Sequence, residues 1–435
     1  MWLKKRSSIV LNPRTQRLPR EHGQQSKHVE KCTTMLLHKN TNLLHSITTY
    51  QSMQNKLPAW KNTWKDWSNV YSKCLQMAVR RIKTSEKALE ELEERGFKTG
   101  RLKWKAPLEY RSIKYNQSGF DVDSNTGRTN HATVNFTKIG DFQLNYHRPL
   151  PENTDIIEVI LKKQKTGEWT VSIVVDYDES NPEKPDIDNI DIEDTVGIDL
   201  GITNFIHDSD GRAIKPLDEE QDRSRIEKRH QHLDCKEHGS NNWNEARQEL
   251  SKAYQRLSNK RQAYREQLAN EYTTKYDAVF LEDLNVASMM QQDKNSRNIA
   301  SMSWYETIQC FKEFGDKNGC HVVLVPPGGT TKECVRCGTS TDKPLWVREH
   351  SCPSCGFELD RDWNSSLEAQ RRGLVKLGVV ESSDDRELGQ ELAESTLAET
   401  GIPVDDSTEA SVEVTAKTVV DTRSSVLKEP ALAGK

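Results

Sequence analysis

Four cysteines in two pairs, Cys334-Val335-Arg336-Cys337 and Cys352-Pro353-Ser354-Cys355, constrain the folding of this chain more than any other feature. The pairs are separated by 14 residues, and each is followed by a glycine, Gly338 or Gly356. A CxxC turn aims both sulfurs inward, and two such knuckles supply the four thiolates of a closed tetrahedral zinc site. Four protein ligands leave no open coordination position, so the zinc expected on Cys334, Cys337, Cys352 and Cys355 is structural. A redox role is the alternative for one CxxC, but two copies at this spacing favour metal. His350 lies near the second pair; with four cysteines available it is expected on the surface. The other five cysteines are scattered, and an odd total of nine argues for a reducing compartment over a disulfide framework.

At 435 residues the chain has room for about two to four domains. It is hydrophilic, with 34% apolar and 29% charged residues, yet 10 Trp, 11 Tyr and 9 Phe argue against wholesale disorder. No stretch approaches the ~20 continuous apolar residues of a membrane span. The basic start, Met1-Trp2-Leu3-Lys4-Lys5-Arg6, is not followed by an apolar region, so export is not expected and the cytoplasm is. The net charge of -4 conceals a split: residues 373–435 carry -7 and residues 1–372 carry +3. The body therefore does not repel phosphate as the whole-chain value suggests.

Apolar spacing predicts helices from about 25 to 105. Trp60, Trp64 and Trp67 fall at i, i+4 and i+7, either as core residues of a bundle or as a base-stacking platform. From 106 to 178 the pattern turns to alternation, with strands at Thr133–Phe136, Ile156–Ile160 and Trp169–Val175, the last two joined by a hairpin turn through Gln164–Gly167. Residues 179–195, rich in Pro and Asp, read as a linker. An α/β region follows, with buried strands at 196–202, 278–281 and 321–325 and a helix over 303–318. A charged helical hairpin over 218–275 interrupts it, its basic residues either ion-paired or facing nucleic acid. The acidic stretch from 373 to 435 reads as largely disordered.

Three separated acids form the second constellation. Asp199 sits within the apolar strand Gly197-Ile198-Asp199-Leu200-Gly201, where an unpaired carboxylate is costly. Glu282 ends the strand Val279-Phe280-Leu281, and Asp362 opens a helix in Asp360-Arg361-Asp362-Trp363-Asn364. Each has a plain alternative: a satisfied core acid, a strand-end surface acid, a first-turn helix acid. Together they fit an RNase H-like nuclease, in which such acids hold two divalent ions that activate water at a phosphodiester. Hard oxygen ligands suit magnesium or manganese.

The order Gly197-Ile198-Asp199-Leu200-Gly201, Leu281-Glu282-Asp283-Leu284-Asn285, Gly329-Thr330-Thr331-Lys332-Glu333-Cys334, the two CxxC-Gly knuckles and Asp360-Arg361-Asp362-Trp363-Asn364 resembles the TnpB/OrfB transposon-encoded proteins, relatives of the type V CRISPR nucleases. The resemblance is dense from about 196 to 372 and looser from 56 to 178. It implies a multidomain α+β protein: an RNase H-like (RuvC) α/β nuclease core with a zinc-ribbon insertion, preceded by a β-barrel wedge domain interrupted by a helical lobe. The implied boundaries are a wedge segment over 1–24, a helical recognition lobe over 25–105, wedge barrel and linker over 106–192, nuclease core over 193–329, zinc ribbon over 330–356, a closing RuvC helix over 357–372, and the acidic tail.

The resemblance also implies an RNA-guided DNA endonuclease, often called a transposase. Asp199, Glu282 and Asp362 would be its catalytic, magnesium-binding acids; target DNA and a guide RNA derived from the element would be its partners. Asp360 competes with Asp362, which is preferred because the family's acid lies two residues before the Asn. The chain departs from the family at Ser365-Ser366-Leu367-Glu368, polar residues expected to weaken packing of that helix, and no opening wedge strand is recognisable in the first 50 residues. Rival readings are a decayed nucleic-acid-binding protein, which the two departures favour, and an unguided structure-selective nuclease. A classical strand-transfer transposase is less favoured, since no further motif would bind transposon ends.

Overall fold

The structure, a computed structural model, describes residues 5–13, 50–100, 111–116, 118–123, 131–145, 150, 154–177, 181–289, 302–344 and 346–400. The predictions for 14–49 and 401–435 therefore lie outside the described residues. Two compact units emerge: Met1–Ser180 with Arg225–Gln255, and Asn181–Ser224 with Arg256–Lys435.

The first unit holds β1 (Lys5–Pro13), α1 (Tyr50–Thr63), α2 (Lys65–Ser68), α3 (Ser72–Glu94), β2 (Ser112–Asn116), β3 (Phe120–Asp123), β4 (His131–Phe136), β5 (Gly140–Asn145), β6 (Asp155–Lys163) and β7 (Trp169–Tyr177). The strands form a seven-stranded sheet in the order β2-β6-β7-β1-β5-β4-β3 with antiparallel pairing throughout. An opening strand is thus present, contrary to the sequence reading: β1 pairs with β7 from Lys5↔Tyr177 to Leu11↔Val171. Its Lys-Arg-Ser-Ser start lacks apolar alternation, so only its partners reveal it.

Alternate residues on the other strands point to one core, including Ile113 and Tyr115, Val134 and Phe136, Phe142 and Leu144, and Val171, Ile173 and Val175. Helix α3 adds Cys74, Leu75, Ala78 and Val79 from one face. The tryptophans belong to this core and not to a platform: Trp67 is buried, with Trp60 and Trp64 edge-on to it at 6.2 and 4.9 Å. They do not share one helix, because Trp64 is extended (φ -117, ψ 103) and divides α1 from α2.

The charged hairpin is α4 (Glu220–Asp234) and α5 (Asn241–Lys275). Residues 225–255 of it group with the first unit, not with the α/β region in which the sequence reading placed all of it. Ion pairs take up many of its basic residues, among them Arg229–Glu249, Lys252–Glu249, Arg256–Asp222 and Arg261–Glu219.

The second unit opens on two short 3-10 turns, Ile187–Asn189 and Ile192–Asp194, where a linker was expected. It then builds β8 (Thr195–Asp199), β9 (Ile206–Asp208), β10 (Ala213–Ile214), β11 (Ala278–Glu282), α6 (Val286–Met289), α7 (Trp304–Asn318), β12 (His321–Val325), β13 (Glu349–Ser351), β14 (Glu358–Asp360), α8 (Arg361–Leu377) and α9 (Asp385–Thr400). The five-stranded sheet runs β10-β9-β8-β11-β12, with β8, β11 and β12 parallel and β9 and β10 antiparallel.

Strands β8 and β11 are buried along their whole length, so both sheet faces are covered. Val196, Ile198, Val279 and Leu281 face a cluster with Leu268, Ala269 and Tyr272 of α5 and Ile308 and Phe311 of α7. Ala278 and Phe280 face the other way, toward Leu367 and Leu374 of α8. Each large apolar side chain removed from water here contributes about 1.5–3 kcal/mol.

The expectation of a disordered acidic tail fails for 373–400. Helix α8 continues to Leu377, and α9 buries Leu388, Leu392 and Ala393 against Val335 and Phe357. Leu388, Leu392 and Thr396 recur every four residues, a helical stripe that the acidic composition masks.

Candidate carboxylate and four-cysteine sites

Register brings the first two acids together. Leu281 of β11 lies opposite Ile198 of β8, so Asp199 and Glu282, one step further, end adjacent parallel strands. Asp199 is therefore a strand-end residue, not a mid-strand one. The carboxyl ends of parallel strands are where open α/β sheets bind ligands.

Helix α8 brings the third. Asp360 is its N-cap, accepting from Asp362 N at 2.9 Å and Trp363 N at 3.2 Å. That capping role occupies Asp360 and leaves Asp362, in the first turn, to face Asp199. Asp199, Glu282 and Asp362 are 8%, 6% and 7% exposed, so none is a surface acid. Burial raises the Asp199 carboxyl well above the usual range, and the charges of Glu282 and then Asp362 raise it further. Glu282 is also raised by burial, against the hydrogen bond from Thr330 Oγ1 and the charge of Arg372.

Two arginines engage Asp362. Arg361 donates Nε and Nη2 to Oδ1 at 3.1 and 2.8 Å, and Arg348 donates Nη1 to Oδ2 at 3.1 Å while its Nη2 reaches Thr203 Oγ1 at 2.8 Å. Asp199 accepts from Ser365 Oγ at 3.3 Å. Sequence reasoning missed Thr330, Arg348, Arg361 and Thr203, whose partners are set by tertiary placement. Ser365 had stood out only as a departure.

The departures in α8 are accommodated. Ser365, Ser366 and Glu368 are fully buried, yet each has a partner: Asp199 for Ser365, Trp363 O for Ser366 at 2.7 Å, Arg371 and Arg372 for Glu368. Asn364 ties the helix to the first knuckle, donating to Glu333 O at 2.7 Å and accepting from Val335 N at 3.2 Å.

The four cysteines converge. Sulfurs of Cys334 and Cys355 lie 3.7 Å apart, those of Cys337 and Cys352 3.5 Å apart, and all four fall within 4.8 Å of one another. A tetrahedron with zinc–sulfur bonds of about 2.3 Å has edges of about 3.8 Å, so the cage fits that ion. Gly338 and Gly356 close the knuckles with positive φ of 71° and 68°, their N–H groups reaching back to Cys334 O and Cys352 O at 2.7 and 3.0 Å. Among the described residues this is the group of three or more His, Cys, Asp or Glu ligand atoms that lies so close; the three acids are wider apart.

His350 corrects the sequence reading. It is completely buried on β13, its ring 6.5 Å from that of Phe357, and neither ring nitrogen has a hydrogen-bond partner. Burial lowers its pKa to about 4, so the ring is neutral.

Fold and sites together define a class: a multidomain α/β protein with a cluster of buried carboxylates at the carboxyl ends of adjacent parallel strands, and a four-cysteine centre. Residues 172–293 match the family described as "Probable transposase" (OrfB_IS605), and residues 304–368 match the Cas12f1-like TNB domain. The chain is thus similar to the TnpB-like, transposon-associated proteins over these segments.

A "Putative RNA-guided DNA endonuclease" of Streptomyces pristinaespiralis is 28% identical over 331 residues, covering 75% of this chain and 78% of that one. The "Putative RNA-guided DNA endonuclease InsQ" of Escherichia coli K12 is 24% identical over 261 residues, 55% of this chain and 63% of that one. "TnpB-like protein L79" of Acanthamoeba polyphaga mimivirus is 25% identical over 202 residues, 43% and 38% of the two chains. Solved structures similar to this one include a Cas12f1-sgRNA-target DNA complex, with TM-score 0.48, 14% identity and coverage of 80% and 81%. Another is the mini-RNA-guided endonuclease CRISPR-Cas_phi3, with TM-score 0.49, 9% identity and coverage of 87% and 93%. Among the described residues no helix is long and apolar enough to cross a membrane.

Proposed function

We propose that this chain is a metal-dependent, RNA-guided DNA endonuclease of mobile-element origin. The five-stranded sheet with α8 is its RuvC-like core, the four-cysteine segment its structural zinc ribbon, and the seven-stranded sheet its wedge domain. Asp199, Glu282 and Asp362 hold magnesium or manganese. The observation that carries this reading is the placement of Asp199 and Glu282 side by side, each raised in pKa, with Asp362 facing them. Buried carboxylates that oppose one another's ionisation have a use for a divalent cation, and oxygen donors suit a hard one.

Bound divalent ions would supply Lewis-acid polarisation and a water ionised near neutral pH. The chain's own residues do the rest. Thr330 and Ser365 fix the orientations of Glu282 and Asp199. Arg361 holds Asp362 toward Asp199, and Asn364 braces α8 against the ribbon. Target DNA and an element-derived guide RNA are the proposed partners, in line with the names of the relatives.

The purified chain, loaded with RNA transcribed from its element, is expected to cut matching DNA in magnesium, and Asp199→Ala is expected to abolish cutting. Undiminished cleavage by that variant would dispose of the mechanism. A second reading, binding without cleavage, is favoured by the two guanidinium groups on Asp362. Tight, salt-sensitive binding with no cleavage at any divalent-ion concentration would select it.

A further inference from the structure

Thr330 is buried and donates its hydroxyl to Glu282 Oε1, the closer of two acceptors, with Pro327 O 3.2 Å away. Among the described residues it is the one hydrogen-bond partner of that carboxylate, so Oε2 is left free. The donor is firmly mounted. Arg372 of α8 binds the loop that carries it, giving Nη1 to Pro326 O at 2.8 Å and to Gly328 O at 2.9 Å. The same guanidinium gives Nη2 to Glu333 Oε2 at 2.9 Å and Nε to Glu368 Oε1 at 2.8 Å. The loop is thereby tied to one helix on both sides of Thr330. The pattern recurs on the neighbouring acids: Ser365 engages Asp199 Oδ1 at 3.3 Å, Arg361 engages Asp362 Oδ1 and Arg348 its Oδ2. Each carboxylate thus has at least one oxygen engaged by the protein itself.

A carboxylate with one oxygen engaged by a fixed donor meets a cation through the other. Magnesium and manganese accept this, because single oxygens complete their octahedron. Calcium is larger, takes roughly six to eight oxygens and often draws two from one carboxylate. We propose that the Thr330 hydroxyl determines the ion specificity of the acid cluster: by occupying Glu282 Oε1 it denies calcium a bidentate ligand and leaves the site to octahedral cations. This inference deepens the proposed endonuclease reading and rests on it for the presence of a metal. The choice of ion is thereby assigned to a residue outside the three acids.

The test is calorimetric titration of the full chain with manganese and with calcium, without nucleic acid. Heats that persist in Asp199→Ala belong to other acids and are subtracted. Wild type is expected to bind manganese more tightly than calcium. Thr330→Val, which keeps the shape but removes the hydroxyl, should narrow the ratio of the two dissociation constants by about tenfold, equivalent to one hydrogen bond to a charged group. Thr330→Ser should keep the wild-type ratio. Arg372→Gln, which keeps the hydroxyl but unties its loop, should narrow the ratio as Thr330→Val does. The ratio isolates specificity, because a carboxylate made harder to ionise binds both ions more weakly alike. A wild-type preference for calcium, equal weakening of both ions in Thr330→Val, or lost preference in Thr330→Ser would overturn the proposal. A wild type that binds neither ion would overturn it together with the endonuclease reading. A preference that follows the hydroxyl, in a chain that cuts no DNA with guide and magnesium, would overturn the endonuclease reading alone.

Discussion

Gly197 lies so close beneath α8 that a Cβ on it would stand 2.0 Å from the carbonyl oxygen of Ser366 and 2.6 Å from Gln370 N. Both neighbours are backbone of a buried helix, so neither can yield cheaply. Gly197→Ala is therefore expected to push α8 off the sheet and lower stability by at least the 1–3 kcal/mol typical of overpacking. Thermal unfolding measures the loss; an unchanged midpoint would mean that helix and strand are not so close.

On the endonuclease reading proposed above, Arg348 competes with the metal ion for Asp362. Removing the guanidinium takes away a positive charge 3.1 Å from Asp362 Oδ2 while Arg361 still holds the carboxylate in place. Arg348→Ala is expected to bind manganese about tenfold more tightly, equivalent to about 1.4 kcal/mol. Calorimetric titration with manganese alone reads this out without any cleavage assay, and weaker binding would contradict it.

The orphaned imidazole of His350 should be dispensable. A buried polar group without a partner is destabilising by about 1–3 kcal/mol, and an apolar ring of similar shape removes that penalty. His350→Phe is expected to raise the unfolding midpoint and leave one zinc per chain in metal analysis. A fall in zinc content would make the histidine a participant in the centre. Cys352→Ser, in contrast, should release the ion and unfold the ribbon.

Glu219 gives a pH dependence. Burial alone would raise its pKa, but the hydrogen bonds and charge of Arg261, with Arg223, outweigh burial and hold it below the usual carboxylate range. A depressed pKa contributes stability above the unfolded-state value, lost as pH falls through the folded-state one. Glu219→Gln should cost about 1–2 kcal/mol near neutrality. The gap from wild type should close as the solution is acidified below the ordinary carboxylate pKa; a gap constant with pH would assign the effect to packing.

Much of the second unit was legible because its chemistry demands residue types at fixed spacings. The four cysteines with Gly338 and Gly356 declare their knuckles, and an acid such as Asp199 in an apolar strand declares a need for a partner. Strand positions at 196–202, 278–281 and 321–325 followed from continuous apolar runs, although the first strand ends at Asp199 and the second reaches Glu282. What stayed hidden depends on other segments. β1 is a strand because β7 and β5 flank it, and α9 is ordered because Val335 and Phe357 cover its sparse leucines. His350 seemed exposed because nothing local reveals that β13 turns its ring inward toward Phe357. Ser365 read as a packing defect until Asp199 supplied its partner.

The three clustered acids reach one another from widely separated stretches of the chain, and the last, Asp362, follows the whole cysteine-bearing segment. A ribosome that has not yet emitted α8 thus holds a polypeptide with two mutually repelling carboxylates and no third. Stalled translation products, and chains cut short by a premature stop codon before that helix, are therefore incapable of assembling the cluster.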